Sequence, residues 1–260
     1  MSTPKTFDAF VPSNSPNFLA LAKIRPNYIS FDALRSVPID DAHKAATAYT
    51  QKHLATSAFN HSLRTYYFAL AIMHNGFPSE TPGVPQISFE ELQKRLYHAC
   101  VMHILGWTSH PDGLNHPARK MSFEIFGGIM AYDFLHTLDP TLDAEQVGDI
   151  VQSIMLHTTE YTAGQSSAVG TLVTLGASFD AMGYDAFGPG TLNYVHRKTV
   201  QEIEKQFPRG TFFKDASEIG GKEFDLKPNC MMGHFRGGRK LMKKTRVESL
   251  VSVDEVINVD

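Results

Sequence analysis

Cysteine is scarce in this chain: Cys100 and Cys230 are the two in 260 residues. They lie too far apart for a CxxC pair and are too few for a disulfide framework, so a reducing compartment is expected. No run of about 18 apolar residues is present to suggest a membrane span. The opening Met1-Ser2-Thr3-Pro4-Lys5-Thr6 has no apolar signal core, and a cytoplasmic protein with no membrane partner is expected. Neither sign of charge is in excess: 24 Lys+Arg stand against 27 Asp+Glu, a net charge of −3. That balance argues against nucleic acid as the main partner, because phosphate binding needs clustered cations. Alternating strand runs, internal repeats and low-complexity segments are missing too.

What the chain does have is an ordinary globular composition, 42% hydrophobic and 20% charged, with length enough to bury a substantial core. Prolines 4, 12, 16, 26 and 38 predict an irregular N-terminal arm over residues 1–40. Residues 41–235 then follow the helical period. Leu63, Tyr66, Tyr67, Leu70 and Ala71 form one stripe, and Ser88 with Glu91 makes a capping box for a second helix. A third helix is expected over Met121–Leu138 with Ile125, Ile129 and Tyr132 inward. A fourth is capped by Asp143 and Gln146, and a fifth spans Gln165–Met182 and stops at Gly183. A last clear helix precedes Phe207-Pro208. The expected fold is an all-α bundle. Residues 236–260 begin with six cations in eleven positions, Arg236 to Arg246, and read as a basic, solvated tail.

Histidine is the one enriched chemical group: twelve are present, roughly twice the average usage. His61, His103 and His157 fall on or at the ends of core-facing stripes, and Asp180 sits on another beside Gly176. A buried carboxylate or imidazole needs a partner. Two imidazoles and one carboxylate converging from three helices make a divalent-metal triad. A lone histidine on an apolar face is more often a hydrogen-bonded core residue, and Asp180 has an alternative partner in Arg64.

Several segments in fixed order resemble the HD-domain superfamily, in particular its fungal cyanamide hydratase-like branch. They are Asn60-His61-Ser62-Leu63-Arg64-Thr65-Tyr66, His98-Ala99-Cys100-Val101-Met102-His103, and Met121-Ser122-Phe123-Glu124-Ile125-Phe126-Gly127-Gly128. Ile154-Met155-Leu156-His157, Phe179-Asp180-Ala181-Met182-Gly183 and Cys230-Met231-Met232-Gly233-His234-Phe235 follow. The resemblance implies an all-α HD fold with a Zn²⁺ held by a His, a His-Asp pair and a later Asp, activating water for addition to a nitrile. His61, His103 and Asp180 match ligand positions. The signature itself departs: His103-Ile104 stands where the family has His-Asp.

Isoleucine cannot coordinate a cation, so the site is at least one ligand short. Either His61, His103 and Asp180 retain Zn or Fe with open positions, or metal binding is lost and an apolar pocket with polar anchors remains. The second outcome is the expectation, with no cofactor favoured. The catalytic candidates are His61, His103, Asp180 and His157, and the substrate-contacting candidates are Tyr66, Trp107, Phe123, Glu124, Phe126 and Phe179. The function expected is metal-independent isomerisation or cyclisation of a small, largely apolar metabolite in fungal secondary metabolism. The alternatives are a metal-dependent hydratase or lyase acting on cyanamide or another nitrile, and a non-catalytic ligand-binding protein. A small-molecule substrate is the partner, and a homodimer is compatible with the sequence.

Overall fold

The structure, a computed structural model, describes residues 4–138, 142–184, 193–234 and 250. Its helices are α1 (Ser15–Leu21), α2 (Phe31–Arg35), α3 (Asp41–His53), α4 (Thr56–His74), α5 (Phe89–Met102) and α6 (Pro111–Leu114). They continue as α7 (Phe123–Leu138), α8 (Ala144–Leu156), α9 (Ala168–Met182), α10 (Arg197–Gln206) and α11 (Phe212–Leu226). Four strands of three residues accompany them: β1 (Thr6–Asp8), β2 (Phe10–Pro12), β3 (Gln86–Ser88) and β4 (Gln165–Ser167). The fold is an all-α bundle.

Helix α4 is its axis. The unbroken run Phe68-Ala69-Leu70-Ala71-Ile72-Met73 is apolar on every side, and all six residues are fully buried, as expected of a helix enclosed by others. Helices α5 and α9 pack on α4 and on each other; α8 packs on both, and α7 on α8. Helices α10 and α11 also contact α4. The approach of α4 to α9 is set by Gly176, where a Cβ would lie 2.6 Å from the Thr65 carbonyl oxygen.

Capping chemistry explains the helix starts. The Asp143 side chain accepts from the Gln146 N–H while Gln146 reaches back to the Asp143 N–H, a complete capping box. Ser88 caps α5 by accepting from Glu91 N–H at 3.1 Å, while the reciprocal Glu91 contact is replaced by bonds to Arg95 and Gln146.

Several expectations are corrected. The N-terminal segment is not wholly irregular: it carries α1, α2 and two strands, with residues 22–30 and 36–40 in neither helix nor strand. Strand β1 pairs antiparallel with β3 and β2 with β4, anchored by the fully buried Phe7 and Val11. Three-residue strands are too short to show alternation in sequence. Residues Gln165–Ser167 form β4, so α9 starts at Ala168 with Ser167 as its cap. Helix α7 starts at Phe123, and its inner face carries Phe126, Met130 and Leu135; Tyr132 is 51% exposed. Apart from residue 250, the basic tail at 236–260 lies outside the described residues. No helix among the described residues is long and apolar enough to cross a membrane.

Candidate active site

The C-terminal end of α5 and the N-terminal half of α4 bring two imidazoles together. His61, in the second turn of α4, places its Nε2 3.1 Å from the Nε2 of His103, the residue that ends α5. His157 ends α8, and its ring meets that of His103 edge-on at 5.0 Å between centroids. After His103 the chain turns tightly through Leu105–Trp107. The turn lies hard against α7, since a Cβ on Gly106 would lie 2.0 Å from the Phe123 carbonyl oxygen.

Each ring is oriented through Nδ1. His61 Nδ1 lies 2.6 Å from Asp180 Oδ2, His103 Nδ1 2.7 Å from the Cys100 carbonyl, and His157 Nδ1 2.7 Å from the Ile154 carbonyl. Carbonyls and an ionised carboxylate only accept, so each Nδ1 is assigned the proton and each neutral ring carries its lone pair on Nε2. Burial is the main cause that holds all three below the ordinary imidazole range. For His61 the Asp180 hydrogen bond opposes burial, while Arg64 and Arg209 reinforce it. At neutral pH the His61 and His103 pair therefore presents two unprotonated Nε2 atoms with room for one proton between them.

Asp180 does not face the cavity. Its Oδ1 accepts from Arg64 Nε at 2.8 Å and Arg209 Nη2 at 2.6 Å; its Oδ2 accepts from Arg64 Nη2 at 2.9 Å and from His61. These four bonds use the roughly four lone-pair positions of a carboxylate. Burial alone would raise its pKa, but the Arg209 and Arg64 guanidiniums and the His61 bond hold it well below the usual carboxylate range. Arg64 is fixed further by the Phe207 and Pro208 carbonyls, and Arg209 by Glu204.

The residues do not fit the metal that the resemblance implies. Ile104 is apolar and 2% exposed, and Asp180 has no lone pair to spare because Arg64, Arg209 and His61 occupy them. Among the described residues, the group of three whose ligand atoms all lie within 4.8 Å of one another is His53, His110 and Asp112. His157 therefore does not complete a set with His61 and His103.

A cavity of about 130 Å³ opens beside the imidazole pair, lined by His61, His103, His157, Thr158 and a wall of Ile104, Trp107, Phe123, Phe212 and Met232. That is close to the roughly 150 Å³ that takes up a benzene ring. Trp107, Phe123 and His157 stand at the cavity. Tyr66, Phe126 and Phe179 do not: Tyr66 accepts a bond from Gln93 in the core, Phe126 stacks near His116, and Phe179 packs between Phe68 and Tyr184. Glu124 is fully buried behind the wall, accepting from Ser122 Oγ and, at 2.6 Å, from Thr158 Oγ1. Its charge partly offsets the effect of burial on His157.

The residues missing from the sequence expectation come from α9, with Ala177, Ser178, Ala181 and Met182, and from α11. Phe212, Phe213, Ala216 and Ser217 line the cavity, and Glu223 accepts the Phe123 N–H at 2.9 Å, tying α11 to the start of α7. The spacing of Phe212, Ala216, Gly220 and Phe224 was the available signal. Arg209 sits in a loop and carried none.

Buried imidazoles also set the acid stability. Eight described histidines, among them His61, His98 and His103, are held below their ordinary range. The unfolded chain takes up those protons from about pH 6.5 downward while the folded chain does not, so stability falls as pH drops. His98 is pushed down to about 4, chiefly by burial. Between pH 7 and 5 it alone accounts for a loss of about 2 kcal/mol. Urea midpoints across that range are expected to fall, and less steeply in His98→Leu; an equal slope would contradict this assignment.

No family model matches the chain. Two curated yeast proteins do, "Cyanamide hydratase DDI2" and "Cyanamide hydratase DDI3" of Saccharomyces cerevisiae. Each is 27% identical over 192 residues, covering 74% of this chain and 76% of the relative. The HD-domain reading of the segments is consistent with both.

Proposed function

The chain is cyanamide hydratase-like, and on that footing we propose that it is an enzyme whose imidazole pair moves a proton within a small, largely apolar organic substrate. The outcome is isomerisation or ring closure without a metal. One observation carries the reading: Asp180 is spent on Arg64, Arg209 and His61, while the buried Ile104 stands where the resemblance places an aspartate.

The chemistry follows from the geometry. A ketone or similar acid held against Trp107, Phe123 and Phe212 presents an acidified C–H to the Nε2 pair. The proton moves to one Nε2 and is shared with the other across 3.1 Å; the C–H electron pair becomes that of an enolate. In a β,γ-unsaturated ketone that enolate is a dienolate, so the same proton can return to the γ carbon and leave the conjugated enone; atoms and charge balance with no co-reactant. Asp180 holds His61 in the tautomer that accepts at Nε2, as the carboxylate does in a catalytic triad. Positioned acid–base catalysis of this kind contributes about 10²–10⁴-fold in rate.

A second reading, water addition to cyanamide or another nitrile, is supported by the names of the two relatives. One paired assay separates them. Protein stripped with a chelator is offered cyclohex-3-en-1-one, with the conjugated enone followed by absorbance, and cyanamide, with urea measured. The expected result is enone formation unchanged by stripping and no urea. Urea formation that requires added zinc would overturn the proposal.

A further inference from the structure

Away from that cavity, His53, His110 and Asp112 bring three ligand atoms within 4.8 Å of one another. His53 is the last residue of α3, and His110 and Asp112 flank Pro111 at the start of α6. His53 is buried, its ring between those of Tyr49 at 4.4 Å and His110 at 4.9 Å. His110 Nδ1 and Asp112 Oδ2 are 3.3 Å apart, about the separation of two ligands on one tetrahedral zinc; an ion there takes the Nδ1 lone pair that otherwise accepts the Asp112 N–H at 3.2 Å.

Capping alone does not account for the group. His116 and His196 also accept, through Nδ1, the backbone N–H two residues on, yet neither faces a second imidazole together with a carboxylate. Lys52 Nζ, 3.0 Å from Asp112 Oδ2, at present supplies the positive charge. Both residues of that ion pair are more than half exposed, so a divalent ion can displace the ammonium at little cost.

We propose that His53, His110 and Asp112 form a binding site for a borderline divalent ion, with Zn²⁺ the leading candidate, that is separate from the imidazole cavity. Two imidazoles with one carboxylate suit zinc, cobalt or nickel rather than magnesium or calcium. Its structural effect is to tie the end of α3 to the segment that carries Ile104 and Trp107. Thr108, next to Trp107, already bonds His53 Nδ1 at 3.1 Å. The chemistry proposed for the cavity does not depend on this site, and each can fail without the other.

Titration of metal-stripped full-length protein with Zn²⁺ alone tests the site, using calorimetry for stoichiometry and the emission of the single tryptophan, Trp107, as a local reporter. The expected result is one equivalent bound with a change in emission, at least tenfold weaker in His110→Ala and in Asp112→Asn and unchanged in His103→Gln. Thermal unfolding of the zinc-free variants separates lost binding from lost fold. Absence of binding to the parent protein, parental affinity in either surface variant, or loss of binding in His103→Gln would overturn the proposal. Binding that leaves Trp107 emission unchanged would overturn the tie to its segment.

Discussion

Asp180→Asn is expected to lower folding stability by roughly 3–5 kcal/mol, among the largest effects of any single substitution in this chain. The reason is the surroundings rather than the residue. Arg64 and Arg209 are both buried, and the anion between them is Asp180. An amide in its place leaves two guanidiniums with one fewer negative charge and turns an NH₂ group toward hydrogen-bond donors. Glu204 continues to balance Arg209 at 2.5 Å, so the doubly substituted Asp180→Asn, Arg64→Met protein is expected to recover part of the loss. Urea unfolding followed by circular dichroism measures both. A carboxylate poised for a metal would behave in the opposite way, since removing it from an empty site relieves repulsion. A loss under about 1 kcal/mol would therefore count against the pairing described here.

His103→Gln is expected to keep the fold and lose about 10²–10⁴-fold in kcat on whatever substrate the enzyme turns over. His103 is fully buried with one hydrogen bond, from its Nδ1 to the Cys100 carbonyl, and its Nε2 faces that of His61 at 3.1 Å. Glutamine can keep the first and cannot hold a proton. The loss should fall on kcat rather than KM, because the apolar wall that binds substrate is untouched. The parent pH profile should show activity lost on acidification, with the midpoint below the ordinary imidazole value because burial holds His61 and His103 there. In His103→Gln the Nε2 pair is reduced to His61, with His157 still at the cavity, and the midpoint should move. Equal loss of affinity and turnover with an unmoved pH profile would indicate a packing role.

Much of the bundle was legible because its axis is. The apolar run of α4, the paired caps of α8 and the glycine that stops α9 are local signals, and local signals survive in sequence. The four strands were not legible: at three residues each, they are defined by the partner strand rather than by their own pattern. Tyr132 was misplaced because a one-residue error in phase rotates a helical stripe by about 100°. At the site, the sequence brought His61, His103 and His157 together and flagged Ile104 as the departure. It offered Arg64 as an alternative partner for Asp180, a pair the structure contains, but not Arg209, which lies in an unpatterned loop.

The most direct measurement is anomalous diffraction at the zinc edge from crystals grown in Zn²⁺. The expected map has no ion between His61 and His103, with the Asp180 carboxylate still joined to Arg64 and Arg209. A well-occupied peak bound by both Nε2 atoms, with Asp180 swung off its arginines to complete the coordination, would contradict metal-free proton transfer and return the site to hydration chemistry.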